Sequence, residues 1–235
     1  MRYLAFQPTA QILCIALTLA SGCYGGDPAA LLPPEIVSLQ PGPVGNTLRP
    51  RLSGRAEPGY RVRIFGTEDC SGRALSTDFA DAFESVDGIE VPVEPRSLTR
   101  FSARLADPET DEESECATTS LSYQHDPDAP ATPVLTGTAP ASPSSDLTPA
   151  VSGIAEPASL VELHGTEGCQ GEPLGVAAAD EIDGRFTIEI TVLQDSTTAI
   201  RSQAQDAAGN VSACTPPVSY THLRAHETKA NLVCR

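Results

Sequence analysis

Between Phe186 and Val192 apolar and polar side chains alternate: Phe186, Ile188, Ile190 and Val192 are separated by Thr187, Glu189 and Thr191. A period of two is that of a β-strand with one buried face, because successive side chains point to opposite sides of the pleat. Shorter runs of the same character occur at Leu160-Val161-Glu162-Leu163 and Val62-Arg63-Ile64-Phe65. They are entered through the turn signals Glu156-Pro157-Ala158-Ser159 and Glu57-Pro58-Gly59-Tyr60. Strand-like runs near Ile36, Arg51, Val62, Leu75, Ile89, Phe101 and Leu121 supply about seven elements, roughly 10 to 20 residues apart. Seven short strands in roughly 90 residues predict an all-β fold of two face-packed sheets.

The pattern occurs twice. TLRPRLSGRAEPGYRVRIFGTEDCSGRAL, from Thr47, aligns without a gap with DLTPAVSGIAEPASLVELHGTEGCQGEPL, from Asp146, an offset of 99. SLTRFSARLAD from Ser97 aligns with STTAIRSQAQD from Ser196 at the same offset. A fixed-period match over this length marks two copies of one structural unit. The boundaries it predicts are 35–126 for the first copy, a linker at 127–132, and 133–217 for the second.

The SGxAEP phrase ahead of a strand and Asp206-Ala207-Ala208-Gly209-Asn210-Val211-Ser212 after a late one resemble the bacterial Ig-like repeats common in secreted proteins and lipoproteins. The resemblance covers both copies and implies tandem Ig-like sandwiches. It says little about function, since such sandwiches host many roles. Copy one departs from it: where copy two has the tight DAAGNVS turn, copy one has Asp107-Pro108-Glu109-Thr110-Asp111-Glu112-Glu113-Ser114-Glu115. The chain has no Trp, so an antibody-type core is excluded.

Composition narrows the class. The chain has 21 Pro, 18 Gly and 5% aromatic residues, which favours short segments and turns over long helices. A net charge of -16 argues against nucleic-acid partners, whose phosphates demand clustered Lys and Arg. At the N-terminus Arg2 precedes an apolar run from Ile12 to Ala20, too short to span a bilayer and fitting a secretory signal. The run ends in Leu19-Ala20-Ser21-Gly22-Cys23, which resembles the lipobox of bacterial lipoproteins. The resemblance implies a signal peptide at 1–22, cleavage between Gly22 and Cys23, and acylation of Cys23. Two or three acyl chains anchor stably where a single one is marginal. Tyr24 in place of Asp points to the outer membrane, and 23–34 reads as a Pro- and Gly-rich flexible spacer.

Of seven cysteines, Cys14 leaves with the signal and Cys23 takes lipid. Cys70 and Cys116 in copy one and Cys169 and Cys214 in copy two have nearly equal spacings. In an oxidising compartment this favours one disulfide per copy among the three pairings four cysteines allow. Closing a loop of that size is worth roughly 4 kcal/mol in the chain-entropy model. Isolated cysteines without CxxC or HxxxH spacing argue against zinc. No GxSxG, P-loop, Rossmann or HExxH pattern is present, so catalytic residues, cofactors and metals are not expected. His125 and His164 read as surface residues. The stretch Asp107–Glu115 offers six carboxylates, near Asp126 and Asp128. It reads as a solvated, mobile loop, with calcium as the rival occupant.

The last segment, VSYTHLRAHETKANLVCR from Val218 to Arg235, holds two of the four histidines and Cys234. It is similar to the translation of a transposase adapter used in preparing short-read sequencing libraries, including its variable index and the fixed flank read as Leu232-Val233-Cys234-Arg235. That resemblance implies that 218–235 is not native, that Cys234 is not an odd thiol, and that copy two is incomplete and lacks its closing strand. The function expected is that of a lipid-anchored cell-envelope protein, not an enzyme. Its Ig-like modules would serve binding, adhesion or spacing, with a protein or envelope polysaccharide as partner. The alternative is the stalk of a larger surface enzyme or adhesin.

Overall fold

The computed structural model describes residues 31–224. The signal peptide, Gly22 and Cys23 therefore lie outside the described residues, as does the end of the chain from 225. Within them the chain builds two consecutive β-sandwiches. In the first, β1 (Glu35–Gln40), β3 (Arg51–Arg55) and β6 (Ile89–Glu90) form one sheet, in that order. The facing sheet runs β2 (Val44–Gly45), β8 (Leu121–His125), β7 (Leu98–Ala106), β4 (Arg61–Phe65) and β5 (Ser76–Phe79). In the second sandwich β13 (Arg185–Glu189), β10 (Ala150–Ile154) and β9 (Val134–Ala139) form the three-stranded sheet. It faces β12 (Gly175–Ala178), β11 (Leu160–His164), β14 (Thr197–Gln205) and β15 (Val218–Thr221). All seven runs read from the first copy are strands, to which the structure adds the two-residue β2.

Alternation places the cores. Phe186, Ile188, Ile190 and Val192 are all buried, with Val151, Val161, Leu163, Ile200 and Tyr220 packed around them. The first core is built from Ile36, Leu52, Val62, Ile64, Phe101, Leu105 and Tyr123, with Phe83 supplied by a short helix, α1 (Ala80–Glu84). That helix was not foreseen, and its ring does a job that copy two assigns elsewhere. Gly54 and Gly153 occupy equivalent strand positions. A Cβ on Gly54 would come within 2.5 Å of the Phe83 ring, and one on Gly153 within 2.4 Å of the Phe186 ring. Both copies press an aromatic ring onto a bare backbone, from α1 in one and from β13 in the other. The glycine and the packing are kept while the chain position of the ring changes.

The second copy is closed by a strand. β15 pairs antiparallel with β14, Ile200 opposite Val218, as β8 pairs with β7, Phe101 opposite Leu121. The expectation that copy two lacks its closing strand is therefore corrected. The reason lies in the alignment. The backbone bond of Ala117 to Ala103 has its counterpart in Thr215 to Ser202, so the offset has dropped from 99 to 98 by then. By the closing strand it is 97, and Leu121-Ser122-Tyr123-Gln124-His125 matches Val218-Ser219-Tyr220-Thr221-His222. Holding the offset at 99 hid the match. The match extends to hydrogen bonds: the Tyr123 hydroxyl donates to the Thr47 carbonyl and the Tyr220 hydroxyl to that of Asp146, both at 2.8 Å.

Candidate functional site

Both cysteine pairs are bonded as the spacing favoured, Cys70 to Cys116 and Cys169 to Cys214, with Cα separations of 5.8 and 5.7 Å. In each copy the bond ties the loop after β4 or β11 to the segment that follows β7 or β14. Cys70 and Cys169 are both buried.

The acidic stretch folds back on its own sandwich. Asp107 accepts hydrogen bonds from the backbone of Glu109 and Thr110, at 2.8 and 2.9 Å. These bonds, Thr110's first, hold its carboxyl below the usual carboxylate range. Further along, Asp111 and Glu113 both pair with Arg63, and Glu113 also with Arg104 at 3.3 Å. Ser114 is buried, and its hydroxyl accepts the Leu105 amide at 3.0 Å. The stretch is solvated, Pro108–Glu113 being exposed, and Arg63 and Arg104, on the outer face of the five-stranded sheet, supply counter-charge to two of its carboxylates. Copy two has Glu162 and Gln203 at those positions, and no acids there to need them. Among the described residues no group of three or more His, Cys, Asp or Glu is placed to hold a metal ion.

The histidines also differ from expectation, since His125 and His164 are 4% and 2% exposed. His125 ends β8, and its Nδ1 accepts the backbone amide of Arg96 at 3.0 Å, tying down a turn in which Arg96 has φ 55°. His222 repeats the arrangement with the amide of Asp195, at 3.0 Å. His164 fills the position held by Phe65 in copy one and lies 3.3 Å from Glu162 through Nε2. These rings brace turns and fill space. Neither is paired with a Ser or Cys nucleophile among the described residues.

The most developed polar site is the junction between the sandwiches. A cleft of about 300 Å³ lies there, bordered by Val44, Asp126, Asp128, Glu156, Pro157 and Asp206. Three of its four carboxylates are already engaged. Asp126 accepts the Asp128 amide at 3.0 Å, and Asp128 pairs with Arg96, which holds its carboxyl below the usual range. Asp206 accepts the backbone amide of Asn210 at 2.8 Å and its side-chain Nδ2 at 2.9 Å. Asn210 in turn reaches the first sandwich. Its Nδ2 lies 3.0 Å from the carbonyls of both Asp126 and Asp128, and its Oδ1 accepts from Nδ2 of Asn46 at 3.0 Å. Asn210 sits in the DAAGN turn that the sequence marks, but nothing in its spacing says that the amide points across a junction.

Residues 129–219 match the family described as "Bacterial Ig domain". No curated protein matches the chain. Among solved structures, the chain is similar to the fibronectin(III)-like modules of CbhA from Clostridium thermocellum. The TM-score is 0.50 at 11% identity, over 83% of this chain and 97% of that one. It is also similar to a tetra-tandem repeat from the extending region of a large adhesion protein, with TM-score 0.31, 18% identity, and 80% and 49% of the two chains covered. Together with the sandwiches themselves, the family match and the CbhA likeness define the class: the chain carries Ig-like repeats in an all-β fold.

Proposed function

We propose that this chain is a lipid-anchored protein of the bacterial cell envelope, held by Cys23 and placed in the outer membrane. Its two Ig-like modules act as a spacer or binding arm. The observation that carries the reading is the pair of sandwiches, each closed by its own disulfide and joined by only a short segment between His125 and Val134. Modules of this kind present loops and sheet edges to a protein or an envelope polysaccharide, and strand pairing at an open edge is a physical route to such recognition. The disulfides fit an oxidising compartment, and the lipobox-like Leu19–Cys23 supplies the anchor.

The segment 218–235 belongs to the same proposal. Its likeness to a translated adapter supports a foreign origin. We place the departure from the native sequence at Val218, where the likeness begins, so that Val218–Thr221 occupy the closing-strand position and the native chain takes its own course from there. Such a course would leave room for the second reading, that the repeats are the stalk of a larger surface enzyme or adhesin. Sequencing the gene independently through this point tests it: adapter bases absent from the genome place the departure, and their presence in the genome overturns it.

Anchoring is tested by fractionating cells that express the chain and its Cys23→Ser variant. Wild type is expected with the membranes and the variant in the soluble exported fraction. Equal distribution of the two overturns the anchor.

A further inference from the structure

We infer that Asn210 is an interdomain latch that makes the two sandwiches tumble and scatter as one body. This goes beyond the spacer reading, because it concerns the stiffness of the chain and holds equally for a binding arm. By default two domains on a linker move relative to one another unless something fixes them. Three features act together here. The connection contains Pro127, Pro130 and Pro133, each with its φ locked by the ring. The first sandwich's end of it is tied down: the Asp126 amide bonds the Gly45 carbonyl at 2.9 Å, and Arg96 pairs with Asp128. The remaining freedom is rotation of the second sandwich about the linker, and this is where Asn210 acts.

The amide is aimed by its own turn. Asp206 grips both the backbone and the side chain of Asn210, and Gly209 turns the chain at φ 87°. With its orientation fixed, Nδ2 serves the Asp126 and Asp128 carbonyls while Oδ1 receives Asn46. Two protons face three oxygens at 2.9 to 3.0 Å, so one proton is shared between acceptors. An amide is the side chain that both donates and accepts at one point, as this site requires, and Asp in its place would oppose two carbonyl oxygens with a third charged one. The equivalent position in copy one is Glu112, whose carbonyl accepts the Asp107 amide as that of Asn210 accepts the Asp206 amide, and whose carboxylate has no amide proton to donate. The latch therefore sits in the one copy that has a sandwich ahead of it among the described residues.

Measuring ¹⁵N relaxation and small-angle scattering on the mature chain tests the inference. In wild type both sandwiches are expected to share one rotational correlation time. In Asn210→Ala each falls roughly twofold, as for bodies tumbling separately, and the scattering profile broadens. Asn210→Asp is expected to loosen the junction at least as much, and Asn46→Ala, which leaves the DAAGN turn untouched, to a lesser degree. Retained amide dispersion of the second sandwich separates loosening from unfolding. If both Asn210→Ala and Asn46→Ala tumble with the single wild-type correlation time, the latch is overturned; the anchoring of the chain is unaffected by either result.

Discussion

The loop that follows the longest strand takes two forms in the two copies. In copy one Asp107–Glu115 folds back on its own sheet because Arg63 and Arg104 are there to receive Asp111 and Glu113. In copy two Asp206–Ser212 has Glu162 and Gln203 behind it, and its Asn210 points away, to the carbonyls of the first sandwich. Around both loops the frame is the same: Ser114 and Ser212 accept the amides of Leu105 and Ala204, at 3.0 and 2.9 Å, and a disulfide follows two residues later. The difference shows that the frame is held by buried bonds and packing, while loop direction is set by what charge the neighbouring strand offers. A loop sequence read without its partner strand does not reveal where it goes.

The largest test of that shared frame is to cut it. Replacing Cys70 and Cys116 together by Ser, or Cys169 and Cys214, should cost about 2–5 kcal/mol in the affected sandwich, since loops of 46 and 45 residues lose their cross-link. Denaturant titration checks it. A near-equal loss in the two copies fits a common frame, and a loss in one alone breaks the equivalence.

Tyr123→Phe and Tyr220→Phe come next. Each removes a hydroxyl that meets a carbonyl at 2.8 Å, which should cost about 0.5–1.5 kcal/mol in chemical denaturation. A neutral Tyr220→Phe beside a costly Tyr123→Phe would mean that β15 contributes little to the second sandwich.

A smaller effect comes from the turn before β4 and β11. Gly59 has φ 90° and its counterpart Ala158 has φ 62°, a left-handed conformation that costs a residue with a Cβ. Ala158→Gly should therefore stabilise by about 0.5–1 kcal/mol and Gly59→Ala should destabilise, as read by thermal melting. Effects of the same sign for the two substitutions would show that the two turns are not equivalent.

The smallest effect is on pH dependence. Asp107 is held below its ordinary value of 3.8 by the amides of Thr110 and Glu109, and Asp180 by those of Ile182 and Asp183. A carboxylate depressed in the folded state contributes stability above its unfolded pKa and loses it as pH falls through the folded one. Melting temperature should thus be level down to about pH 4 as far as these groups are concerned, and decline below it. Asp107→Asn should flatten the acid limb of the first sandwich and Asp180→Asn that of the second. A limb unchanged by both would remove these loops from the account.

Much of this was legible in the sequence. Alternation from Phe186 to Val192 gave β13, which ends at Glu189, and the buried apolar side that runs on through Ile190 and Val192, and near-equal spacing gave the cysteine pairs. What escaped depended on contacts between distant segments. The Phe83 helix was hidden because its ring replaces one that copy two carries on a strand. The closing strand was hidden by two single-residue deletions that move the offset from 99 to 97. His125 and His164 were read as exposed because a lone histidine carries no sign of the amide or the pocket that buries it. The Asn210 contact spans more than 80 residues of chain and has no periodicity to announce it.

One measurement reaches the centre of the account: a peptide map, without reduction, of the protein taken from its native envelope. The account predicts a Cys70 peptide linked to Cys116, a Cys169 peptide linked to Cys214, and an N-terminal Cys23 peptide carrying lipid. Free thiols at these four positions, a link between the copies, or an unacylated N-terminus would contradict it.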